Sequence, residues 1–179
     1  MLPDGEDLPE LTVPDTRAEA PGEETVAGLL PGGRYQTVAR LGAGAFGEVF
    51  RARDSVLGRD VAIKRIRLEA FADPLQLEEV EQRFLREAQV AARLRHPNIV
   101  AVHDIVSTGS TSLIVMELVE GETLQARLRA RERLDLPETL RLLGQVASAL
   151  DHAHASQVVH RDVKPANIMI EPSGQVKVM

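Results

Sequence analysis

The sequence predicts an α+β fold, in which a five-stranded antiparallel sheet with one main helix precedes a mainly helical region. Between residues 35 and 116, short apolar runs alternate with turns rich in Gly, Ser and Asp, which is typical of antiparallel strands. Within that region, residues 80–94 instead repeat apolar residues every three or four positions, as a helix does. After Gly121 the helical spacing becomes dominant.

Residues 1–33 differ in composition from the rest of the chain. They hold eight of the 27 acidic residues, one of the 21 Lys and Arg residues and five of the ten prolines. Such a segment buries too little apolar surface to offset the entropy lost on ordering, so it predicts a disordered acidic tail. The rest of the chain holds 27 − 8 = 19 acids and 21 − 1 = 20 bases. It has no excess of positive charge that would indicate a nucleic-acid partner.

Two further classes of protein are excluded by composition. The chain has no cysteine, which rules out disulfide scaffolds and thiolate metal sites. No apolar run approaches the roughly 20 residues that a membrane helix needs, so no membrane segment is predicted within this sequence. We expect a cytoplasmic location for this portion and leave open a parent that is anchored to a membrane. No feature of the sequence indicates an oligomeric state.

The predicted sheet begins at Tyr35 and contains five short segments of strand character. These are Tyr35–Leu41, Glu48–Arg53, Val61–Ile63, Ile99–Val106 and Leu113–Met116. The main helix lies between the third and fourth strands and is expected to end at His96-Pro97-Asn98. Its predicted apolar face consists of Val80, Phe84, Ala88, Ala91 and Leu94.

The second half of the chain follows a predicted hinge at 117–121, so that one lobe spans residues 34–116 and the next begins at 122. A short helix is expected at Glu122–Ala130, and a longer one starts near Pro137. The apolar stripe of the longer helix consists of Leu140, Leu143, Val146, Leu150 and Ala153. Short buried strands are predicted at Val158-Val159, at Ile168–Ile170 and from Gln175 to Met179.

A glycine-rich turn separates the first two predicted strands. Residues 42–49 read GAGAFGEV and satisfy the pattern GxGxxG. In a dinucleotide-binding fold this pattern opens a helix, whereas the residues after Gly47 alternate as a strand does. The turn can lay backbone N–H groups over a triphosphate, because glycines permit close approach. The alternative interpretation is an ordinary hairpin turn.

Two charged residues lie where each needs an opposite charge to offset its desolvation. Lys64 ends the apolar run Val61-Ala62-Ile63, and Glu87 lies within or beside the apolar face of the main helix. A Lys64–Glu87 ion pair would satisfy both and would leave the amine able to hold phosphate oxygens. The alternative is a lysine whose amine reaches solvent and a glutamate at the edge of the helix face.

The strongest candidate for chemistry is the loop HRDVKPAN at 160–167. The carboxylate of Asp162 can accept a hydroxyl proton, and the amide oxygen of Asn167 can bind a hard cation such as Mg²⁺. Lys164 can neutralise charge on a phosphoryl group in transfer. Each residue alone could be an ordinary polar loop residue, but the set between two apolar segments predicts a catalytic site.

These segments together resemble the eukaryotic-type (Hanks-type) protein kinase family over residues 35–179. The resemblance is carried by GAGAFGEV at 42–49, VAIK at 61–64, Glu87 in FLREAQVAARL, HPNIV at 96–100, VMELVEG at 115–121 and HRDVKPAN at 160–167. Lys164 within DxKPxN is similar to the serine/threonine branch. The abundance of Ala, Arg, Gly and Pro resembles kinases of bacteria with GC-rich genomes.

The resemblance implies a protein-kinase fold and an ATP-dependent kinase that phosphorylates Ser or Thr hydroxyls of a protein substrate. It implies that Asp162 is the catalytic base, that Lys164 assists it and that Asn167 binds Mg²⁺. The implied ATP-binding residues of the first lobe are Leu41, Gly42, Gly44, Phe46, Gly47, Val49, Ala62, Lys64 and Glu87. Met116 would lie at the back of the adenine pocket, and the backbone of Glu117 and Val119 would contact the adenine edge.

The sequence departs from the family pattern at its end. In the family, the next strand leads into Asp-Phe-Gly, whose aspartate holds the principal Mg²⁺, and here the sequence ends at Met179. We therefore expect a longer parent and negligible phosphotransfer by the 179-residue chain alone. The helix stripe also lacks a later helix to cover it. Four exposed large apolar residues forfeit roughly 6–12 kcal/mol at about 1.5–3 kcal/mol each, so the second lobe should be poorly stable alone.

Two other functions compete with this interpretation. A non-catalytic ATP-binding or scaffold protein would act through its first lobe or its acidic tail, but it has no physical need for Lys64, Asp162 and Asn167 together. A dinucleotide-dependent oxidoreductase is disfavoured by the strand that follows Gly47.

Overall fold

The computed structural model describes residues 33–44, 47–66, 82, 85–86, 88–108, 111–130 and 133–179. Several sequence-based predictions lie outside these residues. They are the tail before Gly33, the glycine-turn residue Phe46, and the helix residues Val80, Phe84 and Glu87. Residues 88–91 are helical, and Ala88 and Leu94 are buried, as expected for the apolar face of the main helix.

The first lobe is built on a five-stranded antiparallel sheet, which confirms the predicted fold class. The strands are β1 Tyr35–Gly44, β2 Gly47–Asp54, β3 Arg59–Ile66, β4 Val102–Thr108 and β5 Thr111–Glu117. Their order across the sheet is β1-β2-β3-β5-β4. Most strands are longer than the apolar runs suggested, because backbone pairing continues into the flanking polar residues.

One face of this sheet carries an apolar cluster that alternates along the strands, as side chains in a pleated strand do. The cluster consists of Tyr35, Ala52, Val61, Ile63, Leu113 and Val115. The residues between them on β3, Ala62 and Lys64, therefore point to the other face. Two register shifts interrupt the pairing of β1 with β2, one of them between Arg40 and Gly42, just before the glycine turn.

The turn between β2 and β3 is organised by Asp54, whose side chain is fully buried. Its Oδ1 accepts the backbone N–H groups of Val56 and Leu57 at 3.0 and 3.1 Å. Arg34 donates to both carboxylate oxygens, at 3.1 and 2.9 Å. The hydrogen bond from this guanidinium is the main reason why the pKa of Asp54 falls to about 2.

The second lobe contains a smaller sheet, with strand order β6-β7-β8. Its elements are β6 Glu122–Thr123, α1 Leu124–Arg129, α2 Leu136–Ala155, a 3₁₀ turn at Pro165–Asn167, β7 Ile168–Ile170 and β8 Val176–Val178. Both helices have side-chain N-caps, since Thr123 accepts from Ala126 N and Asp135 accepts from Glu138 N. The helix predicted at Glu122–Ala130 starts at Leu124, because Glu122 and Thr123 form the short strand β6.

The longer helix, α2, buries a stripe that matches the predicted one only in part, since Val146 and Ala153 belong to both. Its buried residues are Leu142, Val146, Ala149 and Ala153, whereas Leu140 and Leu143 are 60% and 56% exposed. The buried stripe packs on β7 and β8, and Leu150 is partly buried against the same cluster. The expectation of four uncovered residues is right for Leu140 and Leu143 and wrong for Val146 and Leu150, because the small sheet covers them.

The strand predicted at Val158-Val159 was wrong. Val159 is 64% exposed, and residues 158–160 have no regular structure. After α2 the chain reverses through Gln157, which has a left-handed φ of 61°, and Val158 N donates to Ala153 O at 2.9 Å. This hydrogen bond ties Val158 to the end of the helix.

The segment before β4 joins the two sheets. The fourth strand was predicted to start at Ile99, but it starts at Val102, and Ile99 instead forms a parallel bridge with Val178 of β8. Val100 N donates to Val178 O at 2.9 Å, and Val178 N donates to Asn98 O at 2.8 Å. Residues 98–100 thus add a short stretch of backbone pairing to the small sheet of the second lobe.

Among the helices that the structure describes, none combines the length and the apolar character that a bilayer crossing requires.

Candidate active site

The loop at 160–167 brings together the three residues that the sequence singled out. It lies between the end of α2 and β7, and its last residues form the 3₁₀ turn. Asn167 Nδ2 donates to Asp162 Oδ2 at 2.8 Å and to the backbone oxygen of Asp162 at 2.9 Å. Lys164 Nζ lies 3.1 Å from the same Oδ2. The base candidate, the cation and the amide are therefore in direct contact.

Asn167 is oriented so that its amide oxygen is available to a ligand. The residue is fully buried, and both protons of its Nδ2 are used by Asp162. In the described part of the chain, Oδ1 has no hydrogen-bond partner. A buried acceptor without a partner costs roughly 1–3 kcal/mol. Such a site suits a hard cation, which prefers carbonyl and carboxylate oxygens.

His160 fixes the loop to the last described residue. Its Nε2 lies 2.6 Å from Met179 O, and its Nδ1 accepts the backbone N–H of Asp162 at 3.3 Å. Because Nδ1 accepts, Nε2 carries the proton and donates to Met179 O. Met179 N in turn donates to Asn167 O at 3.0 Å. The sequence motif contains His160, but sequence reasoning gave it no role; only the folded contacts show that it orients Asp162.

The adjacent residue, Arg161, has a left-handed φ of 63°. For a residue with a Cβ, this conformation costs roughly 1–2 kcal/mol. The hydrogen bonds of His160 on one side and of Asn167 on the other hold the backbone in this conformation. The loop is therefore a fixed structure that sets the position of Asp162.

The predicted ATP-binding residues of the sheet share one face. Lys64 pairs with Val49 of β2 and with Ile114 of β5, and Ala62 pairs with Met116. Directly paired residues lie on the same side of an antiparallel sheet, as do residues two apart on one strand. Val49, Ala62 and Lys64 are buried, although this face is opposite the apolar cluster. The partner predicted for Lys64, Glu87, lies outside the described residues.

The glycine turn is the tip of the β1–β2 hairpin. Gly44 pairs with Gly47, and Gly42 pairs with Val49, so the turn joins two antiparallel strands as the sequence predicted. Leu41 lies at the second register shift, between the paired residues Arg40 and Gly42. Gly42, Gly44 and Gly47 therefore lie on the two strands that flank this turn.

The predicted hinge, residues 117–121, begins at the last residue of β5. Glu117 N donates to Ala101 O at 2.9 Å, and Glu117 Oε2 accepts from Ala101 N at 3.2 Å. Val119 is buried and clusters with Val100 and Met169, with Met116 packed against them. Met116 and Val119 thus lie on both sides of Glu117 at the boundary between the two lobes.

A cavity of about 690 Å³ lies elsewhere in the second lobe. It opens between α1, the start of α2 and the β7–β8 turn, and its charged lining includes Arg127, Glu138, Arg141 and Glu171. Arg127 and Glu138 form an ion pair across it, at 2.9 Å. Of the predicted site residues that the structure describes, none lines this cavity, so it is separate from the loop at 160–167.

The comparison with protein families decides the classification of the chain. The family described as "Protein kinase domain" matches residues 35–179. The chain belongs to the protein kinase family. Serine/threonine-protein kinase PrkC of Bacillus subtilis is 44% identical to it over 146 residues, which are 82% of this chain and 22% of that protein.

Two further bacterial kinases are similar to this protein kinase chain. Serine/threonine-protein kinase PknA of Mycobacterium tuberculosis is 44% identical over 156 residues, 84% of this chain and 35% of that protein. Serine/threonine-protein kinase PknB of Mycobacterium leprae is 42% identical over 150 residues, 82% of this chain and 24% of that protein. The chain spans about a fifth to a third of the length of these relatives. The resemblance to Hanks-type kinases of bacteria is confirmed.

Sequence reasoning on this kinase missed one charged residue at the boundary between the lobes. Lys177 lies in β8 between Val176 and Val178, all three are buried, and its Nζ is 2.6 Å from Glu117 Oε1. A signal existed in the sequence, since Lys177 is one of three lysines among 21 basic residues and interrupts an apolar strand. Its partner, 60 positions earlier, could not be identified without the fold.

Proposed function

We propose that this protein is an ATP-dependent protein serine/threonine kinase. The reaction joins the hydroxyl oxygen of a protein Ser or Thr to the γ-phosphorus of ATP and breaks the bond to the β–γ bridging oxygen, giving a phosphoester and ADP. The observation that carries the proposal is the contact of Asp162, Lys164 and Asn167 on one rigid loop. The printed names of the bacterial relatives, all serine/threonine-protein kinases, support it.

Asp162 accepts the proton of the substrate hydroxyl. In the described residues, both contacts to its carboxylate use Oδ2, so Oδ1 remains to receive this proton. The backbone N–H of Asp162 is held by His160, which fixes the direction in which the carboxylate projects. Lys164 brings a positive charge to the same oxygen and offsets the negative charge that develops on the transferred phosphoryl group.

Asn167 would hold Mg²⁺ through Oδ1, the buried oxygen that has no partner in the described residues. When bound, the cation neutralises charge on the phosphates of ATP. Asn167 Nδ2 meanwhile keeps the Asp162 carboxylate 2.8 Å away, so the metal ligand and the base are positioned by one amide. The 3₁₀ turn and the two hydrogen bonds to Asp162 prevent this amide from rotating.

The sheet face that carries Lys64 would bind ATP. The ammonium of Lys64 would hold phosphate oxygens, and the glycines of the β1–β2 turn would let backbone N–H groups approach them. Val49, Ala62 and Met116 supply apolar surface on the same face, next to Lys64. The adenine edge would meet the backbone near Glu117 and Val119, where β5 ends. The pairing of Lys64 with Glu87 stays a prediction.

The test is transfer of labelled γ-phosphate by the full-length protein to itself or to a mixture of Ser- and Thr-containing peptides. We expect Mg²⁺-dependent label on Ser or Thr, identified after acid hydrolysis, and a loss of at least about 100-fold in Lys64→Met. Tight MgATP binding without any transfer would instead support the scaffold alternative. Negligible transfer by the 179-residue chain alone also stays a prediction, and nucleotide binding is the proper assay for that chain.

A further inference from the structure

A partly buried ion pair joins the two lobes behind the predicted hinge. Lys177 Nζ lies 2.6 Å from Glu117 Oε1, and the two side chains are 10% and 27% exposed. Val176 and Val178 pack with α2, so Lys177 projects from the opposite face of β8, towards the first lobe. The surroundings are apolar, because Val100, Val119 and Met169 cluster at this boundary.

The carboxylate of Glu117 contacts two segments that are separate from β5. Besides Lys177 of β8, its Oε2 accepts the backbone N–H of Ala101, while the backbone N–H of Glu117 donates to Ala101 O. Glu117 is also the last residue of β5, where the hinge begins. Lys177 therefore fixes the start of the hinge relative to β8 and to the segment that precedes β4.

The same strand leads directly to the catalytic loop. Met179, two residues after Lys177, accepts from His160 Nε2 through its carbonyl and donates to Asn167 O. A short path of direct contacts thus runs from the hinge carboxylate through Lys177 and Met179 to the residues that orient Asp162 and Asn167. ATP must meet the hinge at its adenine and this loop at its phosphates.

We propose that Lys177 is a positioning residue, which acts through Glu117 to hold the hinge and the catalytic loop at the separation that a single ATP molecule spans. This proposal rests on the proposed function. A buried ion pair contributes little net stability compared with an apolar pair of the same size, but it has a defined geometry. The arrangement of two charges within an apolar cluster is therefore explained better by positioning than by stabilisation.

The test compares the affinities of MgATP and of adenosine for the protein and its Lys177→Met variant, each per folded molecule. We expect the affinity for MgATP to fall about tenfold, in the range usual for coupling between sites, because its two ends are no longer aligned. The affinity for adenosine, which contacts only the hinge side, should fall by less than about threefold. Lys177→Arg keeps the charge and should recover most of the loss.

The matched control is Arg34→Met, which removes the base from a different carboxylate, that of the buried Asp54, and leaves the Lys177–Glu117 pair in place. It should lower the melting temperature and leave the affinity for MgATP unchanged. If Lys177→Met does not fold, Glu117→Gln keeps the shape of the side chain and removes its charge, and the same selective loss is expected. An unchanged MgATP affinity, or an equal loss for ATP and adenosine, would overturn the proposal. Absence of nucleotide binding by the unsubstituted protein would instead reject the proposed function.

Discussion

Gln145 is the side chain whose removal should damage the second lobe most clearly. Its Oε1 accepts from Asn98 Nδ2 and from Val176 N, each at 2.9 Å, and its Nε2 donates to Gly174 O at 3.2 Å. One amide on α2 thereby holds the segment before β4, the strand β8 and the β7–β8 turn. The contact with Asn98 is one of the links between the two lobes.

The loss of stability in Gln145→Ala follows from the hydrogen bonds that each partner of Gln145 retains. Val176 is fully buried, and its N–H loses the acceptor that the structure gives it, which costs about 1–3 kcal/mol. Asn98 Nδ2 keeps its bond to Val176 O, and Gly174 O keeps the guanidinium of Arg141, so these two losses cost about 0.5–1.5 kcal/mol each. The sum is roughly 2–6 kcal/mol, a large fraction of the stability of a typical domain.

Urea unfolding followed by circular dichroism measures this change. Gln145→Ala should shift the midpoint to lower urea with an unchanged slope, by an amount that corresponds to roughly 2–6 kcal/mol. His154→Ala is the matched control, because His154 is exposed on the same helix and its loss should change stability by less than about 0.5 kcal/mol. A loss below about 1 kcal/mol in Gln145→Ala would refute the role given to this amide.

Three further predictions concern stability: one compares two glycine substitutions, and two concern its dependence on pH. Gly144→Ala in α2 should stabilise the protein by up to about 1 kcal/mol, since a Cβ there meets no atom within 4 Å. Gly121→Ala should destabilise the protein, since its Cβ would lie 2.2 Å from a backbone oxygen of β7. Equal melting temperatures for the two variants would contradict this prediction. The pKa of Asp54 is about 2, below its unfolded value near 3.8, so its contribution is complete above pH 4 and is lost as the pH falls towards 2. The urea midpoint should therefore fall between pH 4 and pH 2, and it should fall less in Asp54→Asn. An equal fall in both proteins would contradict the role given to Asp54. Burial lowers the pKa of His96 below 6.5. The contribution of His96 to stability should therefore be complete above pH 6.5 and decline below it, and the decline should be less steep in His96→Gln. A melting temperature that rises between pH 7.5 and pH 5.5 would contradict this reasoning.

The alternation of apolar and polar residues predicted the five strands well, because each face of a sheet imposes a period of two. The helical spacing after Pro137 likewise located α2. It could not choose the buried stripe, since Leu140, Leu142 and Leu143 all fit a helical face. The choice is made by β7 and β8, which lie beyond the helix in sequence and pack on Leu142. A pattern within one segment holds no information about which face its partner will cover.

In the candidate site, too, contacts within one segment were predicted and contacts between distant segments were not. Asp162, Lys164 and Asn167 were predicted together because they lie within six residues, and the structure places them in contact. The contacts that hold this loop were not predictable, since His160 bonds to Met179, 19 positions later. The Lys177–Glu117 pair joins residues 60 positions apart. Short-range chemistry can be inferred from spacing, whereas long-range support depends on the fold.

The most direct test of the proposed kinase activity is the phosphotransfer rate of Asp162→Asn at saturating MgATP, measured in the full-length protein beside its nucleotide affinity. Removal of a general base should lower the rate by about 10²–10⁴-fold, and the affinity for MgATP should stay within about threefold of the unsubstituted protein. Asn at this position retains an oxygen that can accept from Asn167, so the loop should keep its structure. A variant that transfers phosphate at the unsubstituted rate would contradict the role of Asp162 and the mechanism built on it.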